Sequence, residues 1–169
     1  MELAFKSIPA RNTVLAGMAG TNTPTYTVTT SKGVTIIARR DNDADEDESN
    51  SSGSGTQIAE VQWSHLGKHV SKVIVNGREL EFKKVTWYSY SRYFTIDGKK
   101  FTWIDNPVKY LRLVSGDSKS DGTREELSIL YSRLFQTATL HITEHGLNEV
   151  GPDIIVVTAV IMLFLRRDR

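Results

Sequence analysis

The sequence predicts a mainly β fold, a closed antiparallel barrel wrapped around a buried hydrophobic helix at its C-terminus. Three observations lead there. Short segments rich in Val, Ile, Thr, Tyr, Phe and Trp alternate apolar with polar positions along most of the chain. Two Asx-Gly dipeptides, Asn76-Gly77 and Asp97-Gly98, separate such segments at the spacing of two-residue hairpins. The terminal stretch GPDIIVVTAVIMLFLRRDR holds an apolar run that is long for a strand and short for a membrane span.

The totals fit this reading. With 169 residues, 39% hydrophobic and 24% charged, the chain can build one sizeable core, so residues 1–169 are read as a single domain. The absence of cysteine removes disulfides, thiolate metal sites and cysteine nucleophiles, and it suits a reducing compartment. MELAFKSIPARNTVLAG alternates instead of forming a continuous apolar signal core, so a cytoplasmic protein is expected. The net charge of +1 conceals an asymmetry. Six of the twenty acidic residues lie between Asp41 and Glu48, which leaves 14 acidic against 21 basic residues elsewhere.

The strands follow in order. LAFKSI, NTVLAG, TYTVTT and GVTIIAR precede the run DNDADEDESNSSGSGT, residues 41–56. That run has no large apolar residue with which to offset the entropy of ordering, so it is read as a disordered surface insertion between strands. A solvated spacer is the favoured role; a decoy for basic residues and a phosphorylated serine tract are the alternatives. IAEVQW comes next. The turn at Asn76-Gly77 then pairs Val75 with Arg78, Val73 with Leu80 and Ser71 with Phe82, which gathers Val73, Val75, Leu80 and Phe82 on one face. The turn at Asp97-Gly98 pairs Phe94 with Phe101 and Arg92 with Trp103. YLRLVS, LSILYSRLF and TLHITEH complete the strands.

A sheet with one apolar face needs a cover, and the tail supplies it. Gly151-Pro152-Asp153 is a helix start, and Arg166, Arg167 and Arg169 suit the negative end of the dipole. The helix is placed near residues 152–166, although Ile154, Ile155, Val156, Val157, Val160 and Ile161 are β-branched. Leaving about ten such side chains in water would forfeit on the order of 20 kcal/mol of burial. A typical domain has a net stability of only about 5–15 kcal/mol, so exposure is excluded. Ile154 to Leu165 as a helix spans about 18 Å, well short of a hydrocarbon core of about 30 Å. Threading a small barrel is the solution that remains. Trp63, Phe94, Phe101 and Trp103 from the strands, with Ile155, Val157, Ile161 and Leu165 from the helix, are the expected core.

AEVQWSH (Ala59 to His65), FTIDGKKFTW (Phe94 to Trp103) and the terminal DIIVVTAVIMLFLRR together resemble an uncharacterised domain family of fungi. That family is related to the tubby-like superfamily, which includes the tubby C-terminal domain, plant LURP-one-related proteins and phospholipid scramblases. The resemblance covers nearly the whole chain apart from the acidic insertion. It implies a closed barrel of about twelve strands around a central C-terminal helix, and it implies no established activity.

No catalytic constellation emerges, and no cofactor is expected. His65 with His69, and His141 with His145, are spaced for a shared ligand only on a helix; on strands four residues cover about 13 Å, which one metal cannot bridge. There is no phosphate loop, nucleophile elbow, HExxH zinc motif or calcium loop. Glu79 with Glu81 and Glu125 with Glu126 read as solvated carboxylates. An enzyme is therefore not expected, and no metal site is assigned.

Basic residues run through the middle of the chain, from Lys68 to Arg112, and Lys83, Lys84, Arg92, Lys99 and Lys100 are the candidate ligand-binding set. A cluster of this kind near a barrel rim attracts anionic lipid headgroups electrostatically, and tubby domains, which the chain resembles, recognise phosphoinositides. Strand alternation works against convergence of Lys83 with Lys84 and of Lys99 with Lys100. WYSYSRYF, Trp87 to Phe94, invites a nucleic-acid stacking platform, but as a strand it divides between two faces, and the overall charge speaks against nucleic acid as a partner. The expected function is a non-enzymatic module, peripheral to membrane, that binds anionic lipid headgroups at the cytosolic face. A protein-interaction scaffold using the acidic loop and a tail-anchored protein are the rivals.

Overall fold

Alternation along the chain becomes one antiparallel sheet. In the computed structural model the described residues are 1–6, 12–17, 23–41, 55–64, 69–106, 110–116, 124–132 and 137–167. The first seven strands are β1 (Glu2–Phe5), β2 (Asn12–Gly17), β3 (Thr25–Ser31), β4 (Val34–Arg40), β5 (Thr56–Trp63), β6 (Val70–Val75) and β7 (Arg78–Glu79). The other six are β8 (Lys83–Lys84), β9 (Arg92–Ile96), β10 (Lys99–Asn106), β11 (Tyr110–Ser115), β12 (Glu126–Tyr131) and β13 (Thr139–Ile142). Helices α1 (Glu144–Glu149) and α2 (Pro152–Arg167) follow. Strands adjacent in sequence pair with one another except β7 and β8, and β1 pairs with β13 to join the two halves. Residues 42–54, the bulk of the acidic run, lie outside the described residues, as do His65, Lys68 and Lys109. The run connects antiparallel neighbours, since Arg39 of β4 lies opposite Thr56 of β5.

Both expected hairpins are present. Asn76 and Gly77 have φ of 49° and 75°, and Asp97 and Gly98 have φ of 48° and 79°, the left-handed pair a type I′ turn requires. Val75 faces Arg78, the Leu80 N–H reaches the Val73 carbonyl at 2.9 Å, and Phe94 and Arg92 face Phe101 and Trp103. The expected pairing of Ser71 with Phe82 is not reached, because β7 ends at Glu79. A third turn of the same type, Lys32-Gly33, joins β3 to β4.

The expected closed barrel is not formed. Among the described residues the sheet has thirteen strands in a linear order with β7 at one edge and β8 at the other, and no ladder joins those edges. The physical reason lies in the chain path. β7 and β8 are successive pieces of the segment 78–84, whose first part pairs with β6 and whose last part pairs with β9. A strand that crosses from one edge to the other cannot also hydrogen-bond to itself. Leu80, Glu81 and Phe82 carry the crossing, and a cleft of about 250 Å³ lined by residues of β6 and of this segment marks the seam.

The open sheet nevertheless encloses α2. Ile155 through Phe164 are all buried, and ten consecutive helical positions point in every direction around the axis. They share one core with Leu3, Leu15, Val28, Ile37, Val61, Val73, Leu113, Leu130 and Leu140 from strands around the sheet. Phe94, Phe101 and Trp103 are buried as expected, while Trp63 and Leu165 are half-buried at the end where α2 finishes. Tertiary burial thus overrides the strand preference of the β-branched run.

Two polar groups of this interior find partners on or beside α2. The Trp103 indole N–H donates to the Thr158 hydroxyl at 3.0 Å, and that hydroxyl donates to the Ile154 carbonyl at 2.8 Å. At the start of α2, Asp153 accepts from the Tyr26 hydroxyl at 3.0 Å and from Arg39 at 3.1 Å. Burial, then the Asp153 carboxylate, pushes the Tyr26 phenol above its ordinary range. The sequence pattern predicts strand and turn where α1 forms. Thr143 caps it by accepting from the Gly146 N–H at 3.0 Å, and Gly146 packs against the Leu127 carbonyl, leaving no room for a side chain. Gly151, with φ of 86°, makes the joint into α2.

Candidate functional site

The five basic candidates do not assemble into one cluster. β8 sets Lys83 opposite Tyr93 and Lys84 opposite Arg92, while β10 sets Lys99 opposite Ile96 and Lys100 opposite Thr95. Because Arg92 also lies opposite the buried Trp103, Lys84 and Arg92 share the inner face of the sheet at its rim. Lys83 and Lys100 are on the outer face, where Lys100 sits 4.6 Å from the centre of the Tyr93 ring. Lys99 is near α1, at the other end of the strands.

Local partners separate them further. Lys99 meets the Glu149 carboxylate at 3.0 Å and Lys83 meets Glu81 at 2.7 Å; that Glu81 contact holds the Lys83 ammonium above its usual pKa range. Lys99 and Lys100 line a cleft of about 510 Å³ together with Glu125, His145 and Glu149. His145 Nε2 is 3.0 Å from the Glu125 carboxylate. Mixed charge there gives no preference for anions. The seam cleft is compensated in the same way, with Lys72 at 3.5 Å from Glu79 beside the Lys83–Glu81 pair.

Lys84 and Arg92 line a different cleft. With His69, Val70, Phe82 and Leu165 they line a small cleft at the C-terminal end of α2, and among the described residues no carboxylate lines it. The last turn of α2 adds Arg166 and Arg167, and Arg166 donates to the Asn106 carbonyl at 3.1 Å on the rim of β10. From Lys83 to Ile96 the chain holds three basic residues and no acidic one.

Between these two residues, 85–91 form a loop where the sequence reading offered a continuous strand. The loop is built from its own bonds. The Val85 N–H donates to the Ser91 carbonyl, the Ser89 N–H to the Thr86 carbonyl, and the Ser91 N–H to the Ser89 hydroxyl. Arg92 Nη1 donates to the carbonyls of Ser89, Tyr90 and Ser91 at 3.2, 3.2 and 3.3 Å, so its guanidinium serves as a clamp on the loop. Trp87, Tyr88 and Tyr90 therefore face solvent. The strand reading missed this because the loop contains no Gly or Pro; serines alternating with aromatics, able to bond their own backbone, were the available signal.

Among the described residues, no group of three or more His, Asp or Glu side chains is placed to hold a metal ion. His141 lies on β13 and His145 on α1, so that pair straddles two elements.

No curated protein matches the chain, and no solved structure does. Neither comparison supplies the link to tubby-like proteins that the resemblance implied. Residues 9–168 match a family of unknown function, DUF6593, and over that span, nearly its full length, the chain belongs to this family.

Proposed function

We propose that the chain is a non-enzymatic module that binds anionic lipid headgroups at the cytosolic face of a membrane. The observation that carries this reading is the rim formed by Lys84 and Arg92. They are cross-strand neighbours, they line a cleft with no carboxylate among the described residues, and Arg166 and Arg167 end α2. Fixed positive charge of this kind attracts an anionic surface with about 1 kcal/mol per basic residue close to it. The remaining lysines of the candidate set belong to the attraction only at long range, because Lys83 and Lys99 meet carboxylates and Lys100 lies over the Tyr93 ring on the outer face.

The tail-anchored alternative conflicts with the enclosure of α2. Among the described residues no helix is long and apolar enough to cross a membrane. The scaffold alternative rests on the acidic loop 41–56, of which residues 42–54 lie outside the described residues, and nothing among the described residues favours it.

Vesicle flotation tests the proposal. The chain binds phosphatidylcholine vesicles that contain phosphatidylserine or a phosphoinositide, fails to bind phosphatidylcholine alone, and is released as salt shortens the screening length from about 10 Å at 0.1 M to about 3 Å at 1 M. Lys84→Glu, at an exposed position, weakens binding about thirtyfold, the equivalent of two units of charge near the surface. Equal binding to neutral and anionic vesicles, or none to either, contradicts headgroup recognition.

A further inference from the structure

Most large apolar side chains of the described residues are buried or half-buried, and the exposed ones concentrate in one place. Trp87 is 85% exposed, Tyr88 70% and Tyr90 58%, all within a single loop, with Tyr131 at 49% the other large exposed ring. Soluble surfaces carry scattered apolar residues without consequence; three large rings exposed on one loop ask for an occupant. The Trp87 and Tyr88 rings sit edge to face, with centroids 5.4 Å apart.

We infer that the loop 85–91 is an interfacial anchor, which places Trp87, Tyr88 and Tyr90 at the headgroup level of an anionic bilayer while the basic rim holds the surface. This rests on the headgroup reading above and deepens it. Three features of the loop favour a bilayer as the occupant.

The first is chemical type. Trp and Tyr join an apolar ring to a polar handle, the combination that concentrates at membrane–water interfaces. The second is charge. Lys84 and Arg92 flank the rings, Arg167 is exposed nearby, and the carboxylate oxygens of Asp105, whose N–H reaches the Ser91 hydroxyl at 3.3 Å, are buried. Residues 82–96 hold no Asp or Glu, so the loop itself offers an anionic surface no repulsion. The third is preorganisation. The turn bonds and the Arg92 clamp hold the backbone already, so ring insertion costs little ordering. Binding then needs both parts, the attraction of the basic rim, which salt screens, and the ring insertion, which alone does not hold the chain on a neutral vesicle.

Trp87 is its own reporter, because Trp103 is buried and Trp63 half-buried before any membrane is present. The full chain is mixed with vesicles of phosphatidylcholine and phosphatidylserine, with and without brominated acyl chains, and its tryptophan emission is followed. The expected result is a blue shift, quenching by the brominated lipid, and loss of both in Trp87→Phe. Trp87→Ala lowers partitioning about tenfold or more with an unchanged circular dichroism spectrum and unfolding midpoint. Binding to anionic vesicles with unchanged Trp87 emission overturns the anchor and leaves headgroup recognition standing. Failure to bind anionic vesicles overturns both, and the ring patch is then assigned to a protein contact.

Discussion

The interior around α2 and the rim from β8 through the loop to β9 use the same kinds of side chain to opposite ends. In the interior, Trp103 is fully enclosed and its one polar atom bonds to Thr158, so the ring serves stability. At the rim, Trp87 touches little besides Tyr88 and stands in water, while a guanidinium and two serines keep its backbone in place. The sheet is continuous from β7 to β8 everywhere except at this side, where a three-residue crossing replaces a ladder. One region is determined by folding alone. The other spends polar bonds on displaying apolar surface, and folding gives no reason to do so.

Substitutions can break that contrast. The largest effect is expected from Val157→Asp, which places a carboxylate where the sheet and helix leave no water. Either the charge or its neutralisation costs several kcal/mol, comparable with total stability, and the chain does not fold cooperatively. Circular dichroism and a denaturant titration check this; a folded variant would show that α2 is not enclosed. Thr158→Val keeps the shape but leaves the Trp103 N–H without its acceptor. A loss of about 1–3 kcal/mol in chemical denaturation is expected, with the fold retained.

A smaller effect concerns pH. The Tyr26 phenol is pushed up in the folded chain, chiefly by burial and next by Asp153, so the folded state favours the neutral form. Its contribution to stability is complete below the unfolded tyrosine pKa of about 10, and it declines as the unfolded chain ionises above that pH. Tyr26→Phe removes this contribution. Between about pH 9 and about pH 11 the variant should lose less stability than the parent chain; an equal loss would show that Tyr26 plays no part. At the rim, by contrast, Trp87→Ala should leave stability within about 0.5 kcal/mol.

Much of the interior was legible in the sequence. Two Asx-Gly turns set registers that the structure reproduces at Phe94 with Phe101 and Arg92 with Trp103, and the length of the apolar tail separated helix from strand and from membrane span. The open seam was not legible. Residues 78–84 alternate as a strand should, and only the tertiary path shows that their partner changes at Leu80 to Phe82. α1 was hidden for a similar reason: TLHITEH continues β13 by pattern, and the cap at Thr143 depends on a glycine that fits against Leu127. The candidate site was legible as a set of charges but not as a place, since ion pairs with Glu81 and Glu149 remove two of its five members. The aromatic loop was visible as composition, while its exposure depends on bonds among Thr86, Ser89, Ser91 and Arg92 that strand alternation does not describe.

Hydrogen exchange of the full chain, with and without vesicles containing phosphatidylserine, tests the division between these regions most directly. The expected result is that amides of Ile155 to Phe164 exchange among the slowest in the molecule and are unaffected by vesicles, while added protection falls on residues 85–91 and the rim beside them. Rapid exchange of the α2 amides in water, or protection of α2 that appears only with lipid, would contradict the enclosure of the helix and the assignment of its surface to the protein's own core.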